Sequence, residues 1–104
     1  MLSFTYDMLP SRVVFGVGCL DNLPQEIERL GAHRALVLST PEQRKEGRQM
    51  VDRLGAGAVG LFDKAVMHVP VEIAEQAREQ ALALGADCCV AVGGGSTTGL
   101  AKAI

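Results

Sequence analysis

Three short apolar runs, each closed by turn residues, limit what this chain can fold into. They are Ala35-Leu36-Val37-Leu38, Ala58-Val59-Gly60-Leu61-Phe62 and Cys88-Cys89-Val90-Ala91-Val92. A strand with one wet face alternates apolar and polar residues. A strand covered on both faces reads as a continuous apolar run, and such strands belong to parallel sheets flanked by helices. The segments between the runs carry the helical period. Leu20, Leu23, Ile27 and Leu30 recur at three and four and form one apolar stripe, with Gly31 at the C′ position. Thr40 is a good N-cap, Pro41 a good first helical residue, and Gln43 completes a Thr-x-x-Gln capping box. That helix is expected to run to about Leu54, where Gly55 ends it. Over residues 71–84, Ile73, Ala77, Ala81 and Leu84 share a face, and Gly85 stops the helix.

Ahead of these, residues 3–6 and 12–17 are β-prone and are separated by a stretch containing Pro10, which predicts a hairpin or two extended arms. Strand and helix then alternate with short connections. The expected fold class is α/β: a Rossmann-like parallel sheet with helices on both faces, preceded by an N-terminal β arm or hairpin. No linker or internal repeat is visible, so the 104 residues read as one domain. The last helix starts near Ser96 and meets Ile104 after about two turns, with no glycine or asparagine stop signal. From this the chain is expected to be part of a longer protein.

Charge and cysteine usage narrow the function classes. Ten basic and 12 acidic side chains leave a net charge of -2, which lacks the electrostatic footprint of a nucleic-acid binder. No apolar run reaches the roughly 18–20 residues of a membrane span. The first residues lack the basic-then-apolar pattern of a signal peptide. Cys19, Cys88 and Cys89 are an odd set without scaffold spacing, so no disulfide framework is expected. Adjacent on a strand, Cys88 and Cys89 must face opposite sides of the sheet, which prevents a shared metal. Buried, inert thiols and a reducing, cytoplasmic setting are expected.

Glycine makes up 12 of 104 residues, against a usual share of about 7%. Three of them stand together where the third apolar run meets the last helix: Gly93-Gly94-Gly95-Ser96. Glycines let a backbone approach a ligand without Cβ obstruction. The free N–H groups of a first helical turn point outward, and the helix dipole adds about half a positive charge. Ser96 either caps the helix or donates its hydroxyl to a phosphate oxygen. The loop lies at the carboxyl edge of a parallel sheet, where α/β folds bind ligands. Two common fingerprints do not fit. The dinucleotide pattern would need a glycine where the chain has Thr98, and the P-loop would need lysine after Gly99, where the chain has Leu100. A plain tight turn is the alternative reading.

The first strand ends at Ser39-Thr40, where dinucleotide folds often carry an acidic residue that grips the ribose 2′-OH. A hydroxyl there tolerates a 2′-phosphate, and Arg44 and Lys45 stand close by in sequence to assist. Thr40 also reads simply as a helix cap. His68 sits in the loop before helix 71–84, on the expected ligand edge, although a lone loop histidine is more often a solvated residue. Lys102 and His33 are expected at the surface.

Gly93-Gly94-Gly95-Ser96-Thr97-Thr98-Gly99-Leu100-Ala101-Lys102 resembles the Gly-Gly-Gly-Ser-x-x-Asp-x-Ala-Lys loop of the iron-containing alcohol dehydrogenase superfamily. The stretches 9–18, 35–43 and 62–70 resemble its maleylacetate reductase branch, so the similarity covers essentially the whole chain. The resemblance implies an NAD(P)H-dependent reductase that converts maleylacetate to 3-oxoadipate in bacterial breakdown of aromatic compounds. Another superfamily alcohol or polyol dehydrogenase, or a non-catalytic nucleotide-binding module, is the alternative. It further implies an N-terminal nucleotide-binding domain followed by a helical domain, commonly in a homodimer. The superfamily's metal ligands belong to the helical domain, so none is expected in this segment, and the 104 residues alone are expected to catalyse nothing. The cofactor positions it implies are Gly94, Gly95, Ser96, Thr97 and Thr98 around the pyrophosphate, Ser39 and Thr40 near the ribose, and His68 near the reactive end. The family's usual Asp after the loop is Gly99 here.

Overall fold

In the computed structural model, residues 14–104 are described. The arm expected at residues 3–6 lies outside them, as does the start of the one expected at 12–17; residues 14–17 form no strand. The chain then runs α1 (Leu23–Arg29), β1 (Ala35–Leu38), α2 (Arg44–Leu54), β2 (Ala58–Phe62), α3 (Val71–Leu84), β3 (Cys88–Ala91) and α4 (Gly95–Ala103).

The three strands form one parallel sheet in the order β2-β1-β3. The central strand, β1, is buried at every residue, which accounts for its unbroken apolar run. Leu36 pairs with Gly60 on one side and Cys89 on the other. Alternation along each strand sends side chains to two cores. Leu36, Leu38, Phe62 and Cys89 pack with Ala77, Ala81 and Leu100 beneath α3 and α4. Ala35, Cys88 and Val90 pack with Ile27 and Leu54 beneath α1 and α2. The helices therefore cover both faces, as expected.

Two glycines explain how closely the layers approach. A Cβ on Gly60 would stand 2.8 Å from Leu84 Cδ1, and one on Gly47 would stand 2.8 Å from Leu61 Cδ1. Both distances are inside contact range, so a side chain at either position would push Leu84 or Leu61 aside.

The first helix departs from expectation. A 3-10 turn over Cys19–Asn22 precedes α1, and Leu20 and Leu30 are exposed at 51% and 78%. Pro24, in the first turn of α1, marks where the α-helix begins, since its missing N–H needs no partner there. Leu20 thus falls in a turn of different pitch, out of phase with Leu23 and Ile27. An Arg53–Asp21 ion pair ties that turn to α2.

Cys88 and Cys89 face opposite cores, as their adjacency requires, but both are half-buried rather than fully enclosed. Burial raises both thiols, and with the neighbouring Asp87 charge it takes Cys88 to about 11. Both stay protonated, and so weakly reactive, near neutral pH.

The entry to the sheet is fixed by Asp87. Its carboxylate accepts the backbone N–H of His33 at 2.9 Å and of Arg34 at 2.8 Å. Arg34 in turn donates to the carbonyls of Leu84 at 2.6 Å and Gly85 at 3.0 Å, closing the C-terminus of α3 with a cation. The two backbone donors favour the charged carboxylate and hold Asp87 below its ordinary 3.8. A lowered pKa contributes stability that is present above the unfolded value and is lost as pH falls through the folded one. Asp87→Asn is therefore expected to melt lower than the parent at neutral pH. The gap should close as pH drops below 3.8, which thermal melts across acidic pH would show.

Candidate functional site

All three strands run the same way, so their carboxyl ends and the loops that follow share one edge. The ladder continues one residue past the strands and holds those exits together. Ser39 N–H donates to the Phe62 carbonyl at 2.9 Å, and Val92 N–H to the Leu38 carbonyl at 2.9 Å. Ala65 N–H returns to the Ser39 carbonyl at 3.1 Å.

Thr40 turns the chain from β1 into α2. Its backbone is extended, and its Oγ1 accepts the Gln43 N–H at 3.2 Å, as an N-cap does. Pro41–Gln43 form a single 3-10 turn before α2 begins. The reciprocal half of the expected capping box takes a different form. The Thr40 hydroxyl lies 3.4 Å from Gln43 Oε1, and the Gln43 carboxamide rests against Gly93. Gln43 thereby joins the β1 exit to the glycine loop, a contact between distant segments that no local pattern announces.

The three consecutive glycines have different reasons. Gly93 has φ +112°, and a Cβ there would collide with the Gln43 carboxamide. The fold itself requires glycine at that position. Gly94 has a negative φ, and a Cβ on Gly94 or Gly95 would meet nothing within 4 Å. Packing within the described residues does not call for glycine at 94 or 95. The space their missing side chains leave opens outward, over the start of α4.

That helix start has the means to hold an anion. Thr98 N–H makes the first backbone bond, to the Gly94 carbonyl at 3.2 Å. The N–H groups of Gly95, Ser96 and Thr97 precede it and have no partner within the helix. Thr97 is fully buried, and its hydroxyl donates to the Gly94 carbonyl at 3.0 Å, bracing the loop from below. Ser96 is half-buried and Thr98 exposed. No side chain caps α4 at Gly94, so Ser96 does not serve as a cap.

The remaining sequence candidates separate. Ser39 is fully buried, and its Oγ has no hydrogen-bond partner among the described residues. That oxygen lies toward α2, 3.1 Å from where a Cβ of Gly47 would stand. Thr40 beside it is half-buried. His68 is exposed in the loop between β2 and α3, with φ +67°. Its neighbour Val69 has φ +43° and leans on α4, with Cγ2 3.0 Å from where a Cβ of Gly99 would stand. An aspartate at 99 would crowd that contact, so Gly99 suits the loop that carries His68. Lys102 and His33 are exposed. Arg44, expected from sequence to assist a phosphate, is paired with Asp63 through Nε at 2.6 Å.

The site is thus an outward-facing backbone cradle beside a threonine-capped turn, suited to a phosphate-bearing ligand. Among the described residues, no group of three or more His, Cys, Asp or Glu side chains is placed to hold a metal ion. No helix among them is long and apolar enough to cross a membrane.

Known proteins share this arrangement. A maleylacetate reductase of Burkholderia cepacia is 55% identical over 104 residues, which are all of this chain and 30% of that protein. The crystal structure of maleylacetate reductase from Agrobacterium tumefaciens superposes with a TM-score of 0.92 at 51% identity, covering 100% of this chain and 30% of that one. A sulfoacetaldehyde reductase of Bifidobacterium kashiwanohense, solved in complex with NAD+, matches 96% of this chain and 27% of its own at a TM-score of 0.81. At 19% identity it shares the fold. The chain spans about 30% of the length of the curated relatives it matches. The family model of iron-containing alcohol dehydrogenase matches residues 10–104. With the glycine cradle, the sheet order and these likenesses in agreement, the chain belongs to the iron-containing alcohol dehydrogenase family.

Proposed function

We propose that this chain is the cofactor-binding part of a reductase that converts maleylacetate to 3-oxoadipate with NADH or NADPH. The observation that carries this reading is the cradle at Gly94 and Gly95, where a Cβ would fill space that no other described residue uses. A dinucleotide's pyrophosphate fits that space and meets the N–H groups of the first turn of α4. Ser96 and Thr98 add hydroxyls at the rim, while Thr97 keeps the loop in shape through its bond to Gly94. Thr40 stands at the neighbouring strand exit, where the ribose is read in this class of fold. Ser39 supports it from the buried side. His68, on the loop against α4, is the candidate nearest the reacting end. The nicotinamide, when bound, supplies the hydride, and this chain's residues hold and orient it.

The substrate cleft, any metal and the acid that protonates the product belong in this reading to a helical domain beyond the 104 residues. The whole enzyme would act as a cytoplasmic homodimer in the breakdown of aromatic compounds. The relatives' shared name, maleylacetate reductase, at identities of about half supports the substrate. The test is maleylacetate-dependent oxidation of NADH and NADPH by the full-length protein that contains this chain, with the 104-residue chain assayed beside it. Turnover by the full-length protein and none by the 104 residues is expected. No maleylacetate-dependent turnover by the full-length protein would overturn the assignment.

A further inference from the structure

We propose that the Arg44–Asp63 ion pair decides between the two forms of the cofactor, with Asp63 withholding Arg44 from the 2′-phosphate of NADPH. The inference rests on the reading that Thr40 lies beside the cofactor ribose. Four observations carry it.

The first is position. Asp63 follows the last residue of β2, and Arg44 is the first residue of α2. Their bond, Nε to Oδ2 at 2.6 Å, joins the β2 exit to the helix that Thr40 introduces. On the other side of that helix start, Gln43 rests on Gly93. The pair and the glycine loop therefore flank the Thr40 turn from opposite sides.

The second is rigidity. Asp63 lies between two backbone anchors, Ser39 N–H to the Phe62 carbonyl and Ala65 N–H to the Ser39 carbonyl. Phe62 and Ala65 are buried at 3% and 1% exposure. The carboxylate thus stands on the same bonded frame that holds the Ser39–Thr40 exit.

The third is the balance of exposure. The Arg44 side chain is 55% exposed and the Asp63 side chain 25%. The guanidinium is the outer member, within reach of a ligand, and the carboxylate is the sheltered one that holds it.

The fourth is an oddity of placement. A cation at the first residue of a helix opposes the positive end of the dipole. Arg44 opens α2 just past the Pro41–Gln43 turn, near that end, and Asp63 offsets its charge. Left to itself, Arg44 would present a guanidinium fork, the group best suited to a phosphate dianion. With Asp63 bonded to it, a 2′-phosphate must compete with a carboxylate for the same donor and approach that carboxylate's charge. The ribose hydroxyls of NADH meet no such conflict. The pair thus favours NADH by a repulsive element rather than by an added attraction.

The experiment is steady-state kinetics with NADH and NADPH on the full-length reductase and four variants: Asp63→Asn, Arg44→Ala, the double variant and Gly95→Val. In Asp63→Asn, the ratio of kcat/KM for NADPH to that for NADH is expected to rise about tenfold, the scale of one charge-assisted bond. Arg44→Ala leaves the carboxylate uncompensated, so its ratio should fall below the parent's. Arg44 is largely exposed, so that arm stands even if Asp63→Asn folds poorly. In the double variant the gain should vanish, because it acts through Arg44. An unchanged ratio in both single variants overturns the inference, and so does a gain that persists without Arg44. Gly95→Val separates the two layers of the argument. If it weakens both cofactors while the ratios stay fixed, the cradle stands and only the Asp63 inference falls. If it weakens neither, the cofactor reading itself falls, and this inference with it.

Discussion

Gly95→Val in the full-length reductase is expected to raise KM for NADH and NADPH alike by at least about tenfold, with the melting temperature nearly unchanged. The two halves of this result have separate causes. The side chain would occupy the space over the first turn of α4, where a Cβ now meets nothing within 4 Å. It would displace a phosphate from backbone donors, and losing one bond to a charged group costs about 1.5–3 kcal/mol, or roughly tenfold or more in affinity. A Cβ at this exposed position touches no described protein atom, and surface changes of that kind stay within about ±0.5 kcal/mol. A fold-only role for Gly95 predicts the reverse: lower stability and an unchanged KM. Cofactor kinetics and thermal melts on the same preparation separate the two.

The largest loss of stability is expected from Leu36→Ala. Leu36 is at 0% exposure in the central strand, in the core beneath α3 and α4. Its Cδ1 lies 3.7 Å from where a Cβ of Gly60 would stand, beside the Leu84 methyl that occupies that space. Deleting three buried carbons there opens a cavity that the close-packed helices cannot collapse into, at a cost of about 2–5 kcal/mol. Leu82→Ala is the matching control. Leu82 lies on α3 at 76% exposure, and its loss should change stability by less than about 0.5 kcal/mol. Denaturation of both variants, followed by a probe in this domain, checks the contrast. Equal losses would mean that β1 is not the buried centre of the sheet.

Much of this architecture was legible in the sequence because its signals are local. The runs 35–38 and 58–62 and the helix over 71–84 have the expected bounds, since a both-faces-buried strand and a glycine-stopped helix each announce themselves. The strand expected over 88–92 ends at Ala91, although Val92 N–H still bonds to the Leu38 carbonyl. The pitch change that removes Leu20 from the stripe of α1 was not legible, because a 3-10 turn and an α-helix share spacings over so short a stretch.

The glycine loop was visible as a cluster, but its division of labour was not. Gly93, Gly94 and Gly95 look alike in sequence; only geometry shows that Gly93 serves the fold and the other two leave room. The ion pair of Arg44 was hidden for a related reason. Its partner Asp63 lies just past the end of β2, and the pairing of β1 with β2 brings the two exits together without any mark in the neighbouring residues. The contact of Gln43 with Gly93 had no local mark, since it joins the exit of β1 to the exit of the neighbouring strand β3. Ser39 carried no sign that its hydroxyl would face Gly47, because residues leaving a strand lose the alternation that would place it.

The central claim is that Gly94 and Gly95 make room for a dinucleotide pyrophosphate at the start of α4. A crystal structure of the full-length protein with bound NAD(H) tests it most directly. The account predicts pyrophosphate oxygens over Gly94 and Gly95, within hydrogen-bond reach of the first-turn N–H groups of α4, with the adenosine ribose beside Thr40. A cofactor bound elsewhere, with the space over those two glycines filled by the protein's own chain, would contradict it.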